Sequence, residues 1–142
     1  MNKLFTLSID AMGGDAAPKM VVEGVALAAK KHPGVNFLLY GDESLIAPLV
    51  RENAGLADRV RIHHTLEVVA AEDKPSSALR TRRNSSMRLS INAVAEGEAA
   101  GVVSAGNTGA LMAMAKFVLK TLNGIDRPAI AGVFPTLRGK CV

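Results

Sequence analysis

Short apolar segments alternate with helical patterns along this sequence, and this alternation constrains the fold more than any other feature. The strand-like segments lie at residues 4–9, 35–41, 59–64, 101–105 and 129–135. Apolar residues recur at helical spacing in the stretches that end near residues 32, 54, 98 and 119. Such alternation favours a mostly parallel sheet covered by helices on both faces. The sequence therefore predicts a single α/β domain over residues 1–142.

Local signals fix several element boundaries. Asp42 precedes the second helical stretch, and Ser85 or Ser86 precedes the third, where short polar side chains are favoured as N-caps. The segment from residue 67 to 84 is irregular in pattern and predicts at most one helical turn after Pro75. The dipeptide Asp126–Arg127 predicts a turn with a local ion pair, with a substrate-facing Arg127 as the alternative.

Charge and composition limit the classes of partner. The net charge is +4, and the excess is concentrated in the run RTRRNSSMR, which contains Arg80, Arg82, Arg83 and Arg88. This run indicates either a solvated basic face or a surface for an anionic partner. Aromatic residues make up only 4% of the chain, too few for a typical base-stacking nucleic-acid module. The single Cys141 cannot form an internal disulfide, which favours a reducing cytoplasm.

Two glycine-rich loops follow predicted strands at the edge where ligands of parallel sheets bind: DAMGGD at 10–15 and SAGNTG at 104–109. The second loop runs directly into a helix, whose first N–H groups attract anions. It is not a standard P-loop, because the lysine is absent. The junction indicates a phosphate or oxyanion site. The alternative is a tight turn whose glycines only let the helix pack on the strand.

Five motifs occur in a fixed order along nearly the whole chain. They are DAMGGD at 10–15, DKPSSALR at 73–80, RRNSSM at 82–87, SAGNTGAL at 104–111 and GIDRPA at 124–129. With this set the sequence resembles the N-terminal part of the PlsX family, the acyl-ACP:phosphate acyltransferases of bacterial phospholipid synthesis. The resemblance implies a three-layer α/β/α Rossmann-like fold, related to isocitrate dehydrogenases and phosphotransacetylases. Family members are much longer, so the chain is expected to be an N-terminal fragment that is inactive alone.

The resemblance also implies substrates and partners. A fatty acyl group would pass from acyl carrier protein (ACP) to inorganic phosphate, and the acyl phosphate would go to a membrane acyltransferase of the PlsY type. A cytoplasmic homodimer is expected, with a peripheral position at the inner membrane as the alternative location. No cofactor, metal or nucleic acid is expected.

Several residues are candidates for this chemistry. Asn107 is the candidate donor to phosphate or to the reaction's oxyanion, and Lys74 and Arg83 are candidates for charge neutralisation. The remaining candidates for phosphate or substrate binding are Asp10, Gly13, Gly14, Asp15, Ser104, Gly106, Thr108, Gly109 and Arg127. Asp10 and Asp15 are expected to orient the glycine loop or a basic side chain rather than to act as bases.

Other functions stay open at this point. A decarboxylating dehydrogenase of the related fold would need metal-binding carboxylates and a nicotinamide site, and a basic nucleic-acid-binding module would rest on the arginine run. His63 and His64 are neighbours in a strand, so they point to opposite faces and are not expected to share a metal. The helix at 107–119 is apolar almost all round, which predicts core packing. A dimer face or an acyl-chain groove with Met112 and Met114 is the alternative.

Overall fold

A parallel four-stranded sheet forms the centre of the computed structural model, which describes residues 5–142. Its strands are β1 (Phe5–Asp10), β2 (Val35–Gly41), β3 (Val60–His64) and β4 (Gly101–Val103), in the order β3-β2-β1-β4. All three strand pairs are parallel, as the alternating pattern predicts. Residue 4, predicted as part of the first strand, lies outside the described range.

Helices cover both faces of this sheet. They are α1 (Lys19–Lys31), α2 (Glu43–Glu52), α3 (Pro75–Thr81), α4 (Ser86–Ala95) and α5 (Thr108–Leu119). Adjacent residues of β2 face opposite layers: Leu39 belongs to the core that α1 and α2 form, and Leu38 packs with Ala93 of α4. The three-layer α/β/α arrangement is therefore confirmed. None of the helices within residues 5–142 is both long and apolar enough to cross a membrane.

The predicted helix caps are confirmed. Asp42 accepts a hydrogen bond from the Ser44 N–H at 2.9 Å, and Ser85 accepts one from the Arg88 N–H at 3.2 Å. The hydrogen bond from the Ser44 hydroxyl also lowers the pKa of Asp42. Both caps satisfy backbone donors that the first helical turn leaves without a partner.

The irregular segment is more helical than its sequence predicts. α3 contains seven residues, so it extends beyond a single turn. Ala78 of α3 is buried in the same apolar cluster as Met114 of α5. Tertiary packing thus stabilises a helix whose local pattern is weak.

The predicted fifth strand over 129–135 is wrong. Residues 129–133 form no strand, and the end of the chain forms a separate antiparallel hairpin of β5 (Phe134–Thr136) and β6 (Gly139–Cys141). Ile130 and Val133 are 70% and 60% exposed, so the apolar run finds no packing surface within residues 5–142. The predicted ion pair between Asp126 and Arg127 does not form either; the ion pair found within residues 5–142 joins Arg82 to Asp73.

Replacing Ile46 by Ala should destabilise the fold far more than the same change at the neighbouring Leu45. Ile46 is fully buried, whereas Leu45 is 49% exposed on the same helix. A buried Ile→Ala change typically costs about 2–5 kcal/mol, because a cavity remains. Urea denaturation of both variants measures the difference. Equal losses of unfolding free energy would contradict the burial of Ile46 between α2 and the sheet.

Candidate active site

The two glycine-rich loops lie side by side, because they follow the adjacent strands β1 and β4. Gly13 is the point of closest approach. A Cβ atom at Gly13 would lie 2.5 Å from Asp10 Oδ2, 2.9 Å from Ser104 Oγ and 2.9 Å from the Gly106 nitrogen. Atoms do not approach so closely, so only glycine lets the two loops meet.

A buried carboxylate lies directly beneath this contact. Asp10 is 2% exposed, and each of its oxygens accepts a hydrogen bond from a serine hydroxyl. Ser86 Oγ donates to Oδ1 at 2.6 Å, and Ser104 Oγ donates to Oδ2 at 2.7 Å. Ser104 Oγ in turn accepts a hydrogen bond from the Gly106 N–H at 3.1 Å. Asp10 is therefore linked through Ser104 to the backbone of the second glycine-rich loop.

Asn107 caps α5 and also holds the neighbouring loop. Its Oδ1 accepts from the Ala110 N–H at 3.0 Å. Its Nδ2 donates to the carbonyl oxygens of Ala71 and Asp73 at 3.0 and 2.9 Å, with Ala70 O at 3.3 Å. The side-chain amide is thus committed to the 70–73 loop, and the backbone must supply the donors for a ligand.

The start of α5 offers such backbone donors. The N–H groups of Asn107, Thr108 and Gly109 donate to no acceptor among residues 5–142. They lie at a cleft of about 620 Å³, and the positive end of the helix dipole makes this place attractive to an anion. The cleft is lined by Met12, Gly14, Asp15, residues 68–71 and residues 105–109.

The glycines at the start of α5 serve packing as well as access. A Cβ at Gly109 would lie 2.8 Å from Pro75 Cγ, and one at Gly106 would lie 3.1 Å from Met87 Cε. Protein atoms therefore fill the space that a side chain would take at both positions. This close packing is what the alternative of a tight helix–strand junction predicts. The same turn also contains the backbone N–H groups that have no acceptor among residues 5–142.

The structure brings most of the candidate residues together and leaves three outside. Asp10, Gly13 and Ser104 belong to the hydrogen-bonded network, and Gly14, Asp15, Gly106, Asn107, Thr108 and Gly109 line the cleft. Lys74 is exposed at the N-cap of α3, Arg83 is exposed after α3 ends, and Arg127 is exposed after α5. None of these three side chains lines the cleft.

The arginine run divides into members with different partners. Arg82 pairs with Asp73 at 3.3 Å, while Arg88 lies 5.4 Å from the ring centroid of Phe117. Burial, and secondarily the charge of Arg83, lower the pKa of Arg88. Because α3 ends at Thr81, Arg80 and Arg83 do not share a helix face.

Sequence reasoning missed the role of Ser86, which it considered only as a helix cap. The sequence did contain a signal for this role. Ser86 and Ser90 are four residues apart, beside Met87 and Ile91, so two serine hydroxyls lie on the apolar face of α4. All four side chains are buried. A polar group on a buried face needs a partner, and for Ser86 that partner is Asp10.

The two histidines diverge as predicted. His63 stacks on Tyr40 at 4.7 Å between ring centroids, whereas His64 Nδ1 accepts from the Glu43 N–H at 3.2 Å. Burial, with help from Glu98 and Glu96, raises the pKa of Tyr40. Over residues 5–142, no group of three or more His, Cys, Asp or Glu side chains is arranged to hold a metal ion.

The family model and the relatives that match this chain agree with each other. A family model described as "Fatty acid synthesis protein" matches residues 5–142. Phosphate acyltransferase of Rhodospirillum centenum is 61% identical over 142 residues, which is 100% of this chain and 40% of that protein. The phosphate acyltransferase of Rhodospirillum rubrum is 59% identical over 142 residues, 100% of this chain and 41% of its own. The chain thus spans about 40% of the length of these curated relatives.

Gly109→Ala should destabilise the junction, and Gly24→Ala is its matched control. Both glycines are exposed residues of helices, but nothing lies within 4 Å of a Cβ at Gly24. Alanine favours helix by about 1 kcal/mol at either position, so the difference between the variants reports the clash with Pro75. We expect Gly109→Ala to be less stable than Gly24→Ala by about 1–3 kcal/mol in urea denaturation. Equal stabilities would contradict the contact.

Proposed function

The chain belongs to the family of fatty acid synthesis proteins, and from this membership we propose that the protein transfers a fatty acyl group from acyl-ACP to inorganic phosphate. The product is an acyl phosphate that serves phospholipid synthesis. Two observations support this proposal. The relatives are named phosphate acyltransferase, and the motifs resemble those of the PlsX family, whose acyl donor is acyl-ACP.

The reaction needs little covalent chemistry from the protein. An oxygen of HPO₄²⁻ attacks the thioester carbonyl carbon, a C–O bond forms, and the C–S bond breaks. The proton of the phosphate goes to the departing thiolate, which leaves as the thiol of ACP. Since phosphate is already an anionic nucleophile, the site must supply position and hydrogen-bond donors for the developing oxyanion.

The observation that carries the proposal is the row of backbone N–H groups at the start of α5 that have no acceptor among residues 5–142. Asn107, Thr108 and Gly109 offer backbone N–H groups at the cleft, beside the glycine loop that follows β1. We assign the phosphate to these groups, with the Thr108 side chain as a further donor. The side chain of Asn107 positions the 70–73 loop, so its substitution should lower turnover indirectly.

The exposed basic surface is the proposed docking site for ACP. Arg80 and Arg83 are exposed, and within residues 5–142 the Arg80 side chain hydrogen-bonds only to the Ser76 carbonyl oxygen. An acidic carrier protein would be steered to such a surface.

Lys74 and Arg127 are the further candidates for contacts with substrate phosphate groups.

The oligomeric state and the cellular location are also proposed from the family resemblance. α5 buries only Ala110 and Met114, while Phe117 and Leu119 are 56% and 39% exposed. We propose that the exposed apolar side chains of α5 belong to a homodimer interface, in a cytoplasmic protein that works beside a PlsY-type acyltransferase at the inner membrane.

The proposed reaction is tested by incubating the protein at its native length with palmitoyl-ACP and ³²P-labelled phosphate. We expect labelled acyl phosphate to form in proportion to the thiol released. Release of free fatty acid without labelled product would show hydrolysis instead, and no thiol release would contradict acyl transfer.

Arg80→Glu should weaken the use of acyl-ACP, because charges at the rim of an interface act mainly on the encounter rate. We expect the KM for acyl-ACP to rise several-fold at low salt, with kcat and the KM for phosphate unchanged. The penalty should shrink as salt screens the charges.

The control for this experiment is Arg51→Glu, at an exposed arginine in the last turn of α2. It makes the same change in net charge at a distant place. Equal effects of the two variants on the acyl-ACP KM would show that only net charge matters, and that the arginine run is a solvated face.

A further inference from the structure

Ser86 is a fully buried hydroxyl held in place from two sides. Its Oγ donates to Asp10 Oδ1 at 2.6 Å, and its backbone N–H donates to the Glu67 carbonyl oxygen at 2.9 Å. The side chain therefore links α4 to the end of β1, and the backbone links α4 to the segment after β3. Neither its position in the motif nor the family membership gives this serine a role.

The hydrogen bonds around Asp10 have a fixed direction. Both oxygens of Asp10 accept from serine hydroxyls, and each hydroxyl has one proton to donate. The proton of Ser104 goes to Asp10 Oδ2 at 2.7 Å, so Ser104 Oγ must act as the acceptor for the Gly106 N–H at 3.1 Å. The Gly106 N–H is thus directed inward, and the donors that remain for a ligand begin at Asn107.

We propose that Ser86 is a positioning residue for the phosphate site. By occupying one oxygen of Asp10 it fixes the carboxylate, which holds Ser104 and hence the turn that presents the N–H groups of Thr108 and Gly109. The identity of the bound anion rests on the proposed function. Ser86 itself lines no part of the cleft, so it acts through Asp10.

Ser90 provides a closely matched control on the same helix. It is also fully buried, and in the part of the chain that the structure describes its hydroxyl donates only to the Met87 carbonyl oxygen, at 2.8 Å. Ser90→Ala removes the same atom at the same burial without touching Asp10. A general effect of losing a buried hydroxyl from α4 should therefore be equal in Ser86→Ala and Ser90→Ala.

The test compares the steady-state kinetics of both variants at native length. We expect Ser86→Ala to raise the KM for phosphate about tenfold while the KM for acyl-ACP stays within about twofold. Ser90→Ala should leave both values within about twofold. In the double variant with Ser104→Ala, the rise in phosphate KM should be smaller than the product of the single effects, because both serines act through Asp10.

Several results would overturn the proposal. Equal kinetics of Ser86→Ala and Ser90→Ala would do so, as would a rise of both KM values together or multiplicative effects with Ser104→Ala. If Ser86→Ala does not fold, Ser86→Cys replaces the hydroxyl by a weaker thiol donor, and a higher phosphate KM than that of Ser90→Cys is expected.

Calorimetric titration with inorganic phosphate separates this proposal from the proposed function. If the wild type binds phosphate but forms no acyl phosphate, the function fails while the role of Ser86 is still measured. A roughly tenfold higher Kd in Ser86→Ala than in Ser90→Ala would support the role, and equal Kd values would refute it. Absence of phosphate binding by the wild type would overturn both.

Discussion

The carboxylate of Asp10 is the interaction on which the candidate site depends. Taking a carboxyl group out of water is costly, and hydrogen bonds must offset this cost. Here the donors are two serine hydroxyls, 76 and 94 residues away along the chain. Asp10 thus ties the end of β1 to α4 and to the loop after β4. Gly13 packs against Asp10 Oδ2, the oxygen that accepts the hydrogen bond from Ser104. This packing brings the two glycine-rich loops into contact.

The resulting edge resembles a phosphate-binding loop built without a lysine. A helix start contributes about half a positive charge and several free N–H groups, and these are neutral donors. Such donors hold a dianion less tightly than a lysine would, and they leave its oxygens free to react. This arrangement suits the proposed reaction, in which phosphate is a nucleophile that must leave as acyl phosphate. Residues 68–71 line the same cleft, and the Asn107 side chain holds this segment through the carbonyl oxygens of Ala70 and Ala71.

The sequence predicts the sheet, its helical layers and the caps Asp42 and Ser85, because these depend on local periodicity and on short-range hydrogen bonds. It also predicts that the two glycine loops share one edge, since parallel strands end together. The partners of Asp10 and Asn107 could not be predicted, because tertiary packing over long separations decides them. The local pattern also gave a wrong prediction at residues 129–135, because an apolar run becomes a β-strand only where a neighbouring strand is available to pair with it.

The decisive question is where inorganic phosphate binds. Inorganic phosphate is titrated into ¹⁵N-labelled protein at its native length, and the backbone amide shifts are followed. We expect the largest shifts at Thr108 and Gly109, and we expect them to saturate together. Shifts confined to the arginine run at residues 80–88 would contradict this expectation, because phosphate would then bind a basic surface rather than the turn that Asp10 holds.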